Sequence, residues 1–318
     1  MRAVRSLTAF CLAVAMLTSC YRGPKDIKPT VHCPITERQL SRLGSAFEPL
    51  SPDELNTPWG KEFFVGVHFS KELDFYRAIT SFKRAAILGQ ADPNARLNQI
   101  DYSICLAYFL AGKYSEVAKT FEKGLLAQTV TPNFPAFHDL LVILHESYMR
   151  LGETERASDA LHYLEKAEPK SAHKAAVFAA LGAADFKTLD LKAESSPYAK
   201  DLCSFKRNYQ MRAKSLRKAS LFSLFPGAGY LYVGQTRSAI TSFLINSLFI
   251  AAATTFFIKK EFAAGIIATG FEAGWYFGGI YGATQAARRY NEELYGAQAR
   301  FISEHHRLAP TLQLTYGF

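Results

Sequence analysis

The chain is poor in the residues that staple small folds or build catalytic centres. Its 318 residues include five cysteines, four methionines and two tryptophans. No Cys-x-x-Cys pair occurs, which leaves zinc-ribbon and dithiol redox chemistry without a framework. Cys33, Cys105 and Cys203 are far apart and odd in number, so their spacing specifies no disulfide. Catalytic signatures are equally scarce. His145-Glu146 opens like a zinc-protease helix, but Met149 stands where the second histidine belongs. Gly227-Ala228-Gly229 lacks the third glycine of a dinucleotide loop, Tyr232 stands there instead, and no strand pattern precedes it. His305-His306 is an isolated pair, and no phosphate-cradling loop, nucleophile elbow or spaced metal-ligand set occurs. These absences argue against catalysis, and they imply no cofactor, no metal and no small-molecule substrate.

Charge of one sign is in excess. The net charge is +9, and part of it is local: Lys206, Arg207, Arg212, Lys214, Arg217 and Lys218 fall within 13 residues that hold no acid. Such a cluster suits a nucleic-acid patch or a juxtamembrane segment facing anionic head groups. A long apolar region follows directly, so the membrane reading is preferred and no nucleic-acid partner is expected.

The N-terminus carries a targeting pattern. Arg2 and Arg5 precede an apolar stretch over residues 6–16, too short to span a hydrocarbon core of about 30 Å. Leu17-Thr18-Ser19-Cys20 follows and resembles the bacterial lipobox. The resemblance implies that residues 1–19 are a lipoprotein signal peptide. It also implies that the Cys20 thiol becomes a diacylglycerol thioether, with acyl chains such as palmitate holding the protein in a cell-envelope membrane. Two or three chains make a stable anchor where one is marginal. Residues 20–58 then hold six of the thirteen prolines and are expected to form an extended tether, interrupted by a short helix near residues 37–47.

Over residues 59–192 the pattern becomes helical and repeats. Segments 76–85, 108–117 and 148–157 align, with small residues at Ala78, Val117 and Ala157 and large ones four positions on at Phe82, Phe121 and Leu161. The units are 39 and 40 residues apart, and the third closes at Pro169. These segments resemble tetratricopeptide repeats, helix pairs that bury their apolar faces only by stacking. A helix over about residues 172–190 is expected to cap the stack. The resemblance implies a concave groove lined by the first helices of the pairs, at Gln99, Tyr102, Asp139, Val142 and Glu146.

Residues 193–218 read as a linker and a basic helix, and residues 219–290 as a hydrophobic hairpin. Ser238 to Ile258 carries no charge and is long enough to span; Lys259-Lys260-Glu261 makes a turn; a second apolar run reaches Arg288-Arg289. Gly270, Gly274, Gly278 and Gly282 recur every four residues, a spacing that lets membrane helices approach closely. Glu272 lies off that stripe at about the depth of Asn246, and a hydrogen bond between the two is expected because an intramembrane acid needs a partner, with a proton or ion relay as the alternative. Pro226, Gly227, Gly229, Tyr232 and Gly234 make this region resemble the two-helix TM2 module. A closer likeness is to bacterial lipoproteins that join helical repeats to such a hairpin, on Glu272 to Tyr276, Tyr281-Gly282-Ala283 and Arg289-Tyr290-Asn291. A lipid on Cys20 sets both basic flanks outside the cytoplasm, against the positive-inside rule. A shallow hairpin, an extra pass at 219–236, or tolerance of the bias each resolves the conflict.

Residues 291–318 read as a helix and a tail. The tail alternates apolar residues up to Phe318, as the last strand of an outer-membrane barrel does, but no other strand pattern precedes it, so a barrel is excluded. A loose apolar terminus is expected, with an added strand or a recognition tail as alternatives. The expected fold is all-α: a tetratricopeptide-like stack followed by a two-helix transmembrane hairpin. The expected function is a non-catalytic, membrane-anchored adaptor that binds an envelope protein or peptide outside the cytoplasm. The alternative is a subunit of a membrane transport or protein-insertion assembly acting through the hairpin.

Overall fold

Side-chain caps set where the first helices begin. Thr36 and Gln39 form a reciprocal capping box for α1 (Glu37–Leu40), and Ser51 with Glu54 does the same for α2 (Pro52–Asn56). Thr57 caps α3 (Pro58–Lys71), which opens on proline, whose missing N–H costs nothing in a first turn. Asp74 caps α4 (Phe75–Gly89) through the Arg77 N–H. The structure is a computed structural model that describes residues 27–29, 31, 33–193 and 196–318. Cys20 and the signal segment lie outside the described residues. Every regular element among the described residues is a helix, and none is a strand.

The described residues divide into two units. The first comprises residues 31–182, 187–199 and 300–318. After α4 it continues through α5 (Leu97–Leu110), α6 (Tyr114–Lys123), α7 (Leu126–Thr129), α8 (Phe137–Leu151), α9 (Thr154–Ala167) and α10 (Pro169–Gly182). Sequential helices pair: α3 with α4, α5 with α6, α8 with α9, and α9 with α10. Gly152 ends α8 in the left-handed region at φ 77°, which frees the chain to reverse into α9. Ala78, Val117 and Ala157, the small positions of the aligned segments, are all buried where helices meet. Their shortness lets large neighbours such as Phe82 and Leu106 fill the space between helices.

Two expectations for this unit are corrected. The region near 172–190 is not one helix: α10 stops at Gly182, and α11 (Phe186–Ala193) begins after a break that includes Ala184 at φ 52°. The described part of the proline-rich segment is not a free tether either. Val31, Cys33, Ile35 and Leu40 are buried, and Arg96 clasps the segment by pairing with Glu54 and donating to the carbonyls of Glu48 and Pro49. Prolines keep such a segment non-helical, but apolar residues between them supply surface to bury.

The second unit comprises residues 183–186 and 200–299, with the described residues 27–29. The basic stretch is two helices, α12 (Ala199–Arg212) and α13 (Leu216–Phe222), with Ser215 capping the second. Asn291 holds the break between them. Its Oδ1 accepts the Lys214 N–H at 2.7 Å, and its Nδ2 donates to the Lys214 carbonyl at 2.9 Å. The Lys214 ammonium lies over the rings of Tyr232 and Tyr290. Gly227 then turns the chain at φ 85° into the short α14 (Ala228–Val233), and Gly234 repeats the device at φ 93° before α15 (Thr236–Ile258). A Cβ on Gly227 would strike the Ala239 carbonyl oxygen.

At 23 residues, α15 is the helix among the described residues that is long and apolar enough to cross a membrane. Lys259, Lys260 and Glu261 lead into α16 (Phe262–His305), which is unbroken through Arg288-Arg289 and beyond residue 291, where a separate helix is expected. Its 44 residues extend about 66 Å at 1.5 Å per residue. Neither Gly nor Pro interrupts residues 283–295, so nothing in that stretch ends a helix. Phe249 stacks on Phe271 with ring centroids 6.0 Å apart, so α15 and the first part of α16 touch side by side.

Replacing Asn291 by Ala leaves the part-buried N–H and carbonyl of Lys214 without these bonds, at a cost of up to about 1–3 kcal/mol for each group. Gly227→Ala combines the clash with a left-handed φ. Both variants are expected to lower the melting temperature in detergent. Gly270→Ala, whose Cβ meets nothing within 4 Å, is expected to leave it unchanged.

Candidate functional site

The most organised polar site in the first unit is built around Asp139. This residue lies in the first turn of α8, and its side chain has 0 % exposure. A buried carboxylate is tolerated only when donors converge on it. Here they do. The Thr315 N–H lies 2.9 Å from Oδ2 and 3.1 Å from Oδ1, the Tyr316 N–H lies 2.8 Å from Oδ2, and His138 Nδ1 lies 2.8 Å from Oδ1. The carboxylate only accepts, so its contact with His138 puts a proton on Nδ1.

The two backbone donors belong to the C-terminal tail. After α17 (Pro310–Gln313) the chain is non-helical from Leu314 to Phe318. It crosses the helical face in order. α17 packs on α10 and α8, and Leu314 joins the buried cluster that also holds Leu140 and Ile143. The Gly317 N–H donates to the Gly44 carbonyl at 2.8 Å, and Phe318 stacks on Phe82 at 5.8 Å between ring centroids. A Cβ on Gly317 would stand 3.1 Å from the Leu43 carbonyl oxygen, so this position favours glycine for space rather than for φ. Upstream, Thr311 Oγ1 donates to the Cys33 carbonyl at 2.6 Å. The expected loose terminus is therefore corrected: the tail is seated, because Asp139, Phe82 and the Leu314 pocket supply partners that the sequence alone does not display.

The five expected groove residues separate. Asp139 grips the tail. Tyr102 lies next to it in a ring cluster with Phe47 and Phe134, and burial holds its phenol well above the ordinary tyrosine range, with the Asp139 charge adding to the shift. Gln99 and Phe318 line one cleft of about 280 Å³ with Phe63, Phe64 and Lys71. Val142 is corrected: it points away, into a cluster with Leu164, Ala172 and Ala175 on α9 and α10. Glu146 is also committed elsewhere. It is buried and pairs with Arg150 at 2.7 Å, and Arg150 Nη2 reaches the Val31 carbonyl at 3.4 Å. Burial pushes the Glu146 carboxyl above the ordinary carboxylate range, and Arg150 opposes the shift. His145 Nδ1 lies 2.9 Å from the Ala157 carbonyl, so the metalloprotease-like dipeptide is spent on packing. Cys33, Cys105 and Cys203 are free, and burial pushes the Cys33 thiol up to about 11.

In the second unit the glycine stripe is corrected. Gly270, Gly274 and Gly278 meet no heavy atom at a Cβ position, and all three face a cleft of about 670 Å³ shared with Arg237, Thr241 and Trp275. The close approaches fall at other glycines, Gly265 against Phe257, Gly279 against Ser242, and Gly282 of the stripe against the Tyr230 hydroxyl. The physical reason is that α15 leans on the face of α16 that holds Gly265 and Gly279. Asn246 and Glu272 do not hydrogen-bond. Asn246 Nδ2 donates to the Ser242 carbonyl at 2.6 Å on its own helix, the back-bond open to a short amide, and among the described residues neither Asn246 Oδ1 nor Glu272 Oε2 has a hydrogen-bond partner.

Sequence reasoning missed Phe82, Leu314, Gly317 and Phe318 as members of one site. The alternation and terminal aromatic of the tail were the available signals. No family model matches this chain, and no curated protein or solved structure matches it.

Asp139→Ala is expected to speed amide hydrogen exchange at Thr315 and Tyr316 by at least tenfold, measured by mass spectrometry, while helices α3 to α6 keep their protection. Because the folded Glu146 carboxyl binds its proton more tightly than in the unfolded chain, its contribution is present below about pH 4.3 and is lost as pH rises through the raised folded value. Between pH 7 and pH 5 the melting temperature of the wild type should therefore gain on that of Glu146→Gln.

Proposed function

We propose that this chain is a non-catalytic, membrane-anchored adaptor of the bacterial cell envelope. It is a lipoprotein whose tetratricopeptide-like domain binds a partner protein outside the cytoplasm. The observation that carries this reading is the seated tail. A face made of α4, α5 and α8 accepts a non-helical peptide through main-chain N–H groups, an apolar pocket and an aromatic stack, the combination by which peptide grooves obtain affinity and specificity. Lipidation at Cys20, proposed from the lipobox, and insertion of residues 219–290 as a hairpin supply the anchor. Large apolar side chains left exposed along α15 and α16, among them Phe243, Leu248, Ile258, Ile266 and Phe277, support burial in lipid.

A second reading has its own observation. The cleft floored by Gly270, Gly274 and Gly278 leaves room for another membrane helix, as a subunit of a transport or protein-insertion assembly needs. Gly274→Leu fills that cleft and should abolish function under the second reading while sparing the adaptor.

Cell fractionation of wild type and Cys20→Ala tests the anchor. The wild type is expected in membranes with a mass increase from lipid, and the variant is expected at precursor size yet still resistant to carbonate extraction. Release of the variant by carbonate excludes a spanning hairpin. For the adaptor itself, a photo-crosslinking residue placed at Gln99 is expected to capture a partner protein in cells; capture that is unaffected by moving the crosslinker to exposed Tyr163, remote from the tail, refutes it.

A further inference from the structure

The tail occupies the face that a partner would need. Five residues, 314–318, carry nearly all of its recognition chemistry, and each contact has a separate physical demand. Asp139 requires two successive free N–H groups, which excludes proline at the positions of Thr315 and Tyr316. The core beside Leu140 and Ile143 requires an aliphatic residue one position earlier. A Cβ at the penultimate position would stand 3.1 Å from the Leu43 carbonyl oxygen, a crowded approach that favours glycine there. Phe82, itself fully buried, presents a ring face to a terminal aromatic. Phe318 itself lines an apolar cleft together with Leu50, Phe63, Val67 and Lys71.

We propose that this groove recognises a non-helical peptide segment of another protein with the pattern aliphatic-x-x-Gly-aromatic, and that residues 314–318 are a resident copy of that ligand which the partner must displace. The inference deepens the adaptor reading and rests on it for the existence of a partner. The resident copy is suited to exchange. Among the described residues no helix follows α17, and the hydrogen bonds of residues 314–318 run to Asp139 and the Gly44 carbonyl. Segments of this kind open locally at a fraction of the global unfolding free energy. A tethered ligand competes at an effective concentration of the order of millimolar, so the resident tail sets a threshold that weak, wrong peptides do not pass.

The test uses the full chain in detergent and a fluorescent synthetic peptide of residues 309–318. A chain ending at Gln313 is expected to bind the peptide saturably, and the intact chain at least tenfold more weakly. Peptides carrying Phe318→Ala or Gly317→Val are expected to bind the shortened chain at least tenfold more weakly, and so is the parent peptide to a shortened chain carrying Asp139→Ala. A shortened chain that keeps its helical circular dichroism yet fails to bind overturns the proposal, as does equal binding to the intact chain. If shortening costs the helical signal, exchange in the intact chain decides: excess unlabelled peptide is expected to speed amide exchange at Thr315 and Tyr316, and unchanged exchange overturns displacement. Dimers of the intact chain that vanish on shortening also overturn it, by making a second copy the occupant. Peptide binding without any crosslinked partner in cells would sink the adaptor reading and leave the groove's specificity standing.

Discussion

A buried carboxylate sets terms for everything around it. Asp139 sits in the first turn of α8, where the helix end favours negative charge, yet it has no exposure to water. Stability requires donors to fill its oxygens, and the chain supplies them from 176 and 177 residues away, as the N–H groups of Thr315 and Tyr316. Hydrogen bonds to a charged group contribute about 1.5–3 kcal/mol each where neutral ones contribute about 1. That difference makes Asp139 the point to which the end of the chain is tied. Once it is tied there, Leu314 reaches the core, Gly317 must pass Leu43, and Phe318 meets Phe82. Two of the domain's hydrophobic clusters, one around Leu106 and Ile143 and one around Trp59 and Phe82, then share Phe318 as a common neighbour.

The second unit solves a different problem. Its apolar helices leave large side chains uncovered, so lateral packing within one chain does not account for their composition. What the chain does organise tightly is the approach to them: the Asn291 clamp on Lys214, the tyrosines beneath the Lys214 ammonium, and the glycine turns on either side of α14. Rigid polar and glycine-dependent contacts thus gather next to the basic stretch, while the helices beyond offer an apolar surface and an open cleft. The glycine row follows the same division. Glycines that meet a neighbour are those facing α15 or α14, and the rest form the cleft floor.

Local signals in the sequence were sufficient for much of this. Helical periodicity and the small residues Ala78, Val117 and Ala157 depend on contacts within a turn or between adjacent helices, and the region is helical with all three small residues buried. The apolar run of α15 was legible for the same reason, since length and absence of charge are properties of the segment alone. Asp139 and Tyr102, on different helices, come together beside the tail, whereas Val142 packs with residues of α9 and α10.

Tertiary structure decided the rest, and always where a partner lies far along the chain. Nothing in Thr311 to Phe318 announces that it ends against α4, because its partners are a carboxylate, a carbonyl and a ring scattered from Leu43 to Asp139. Nothing near Val31 or Arg96 declares that a proline-rich stretch is clasped rather than free. The glycine spacing stated that close approach was permitted without stating which glycines a neighbour would use. Sequence by itself determined helices, their order and one apolar helix long enough for a membrane, since each follows from residues within hydrogen-bonding reach of one another. Only the fold determined which buried polar group is satisfied by which distant segment, since that depends on burial, and burial is a property of the assembled chain.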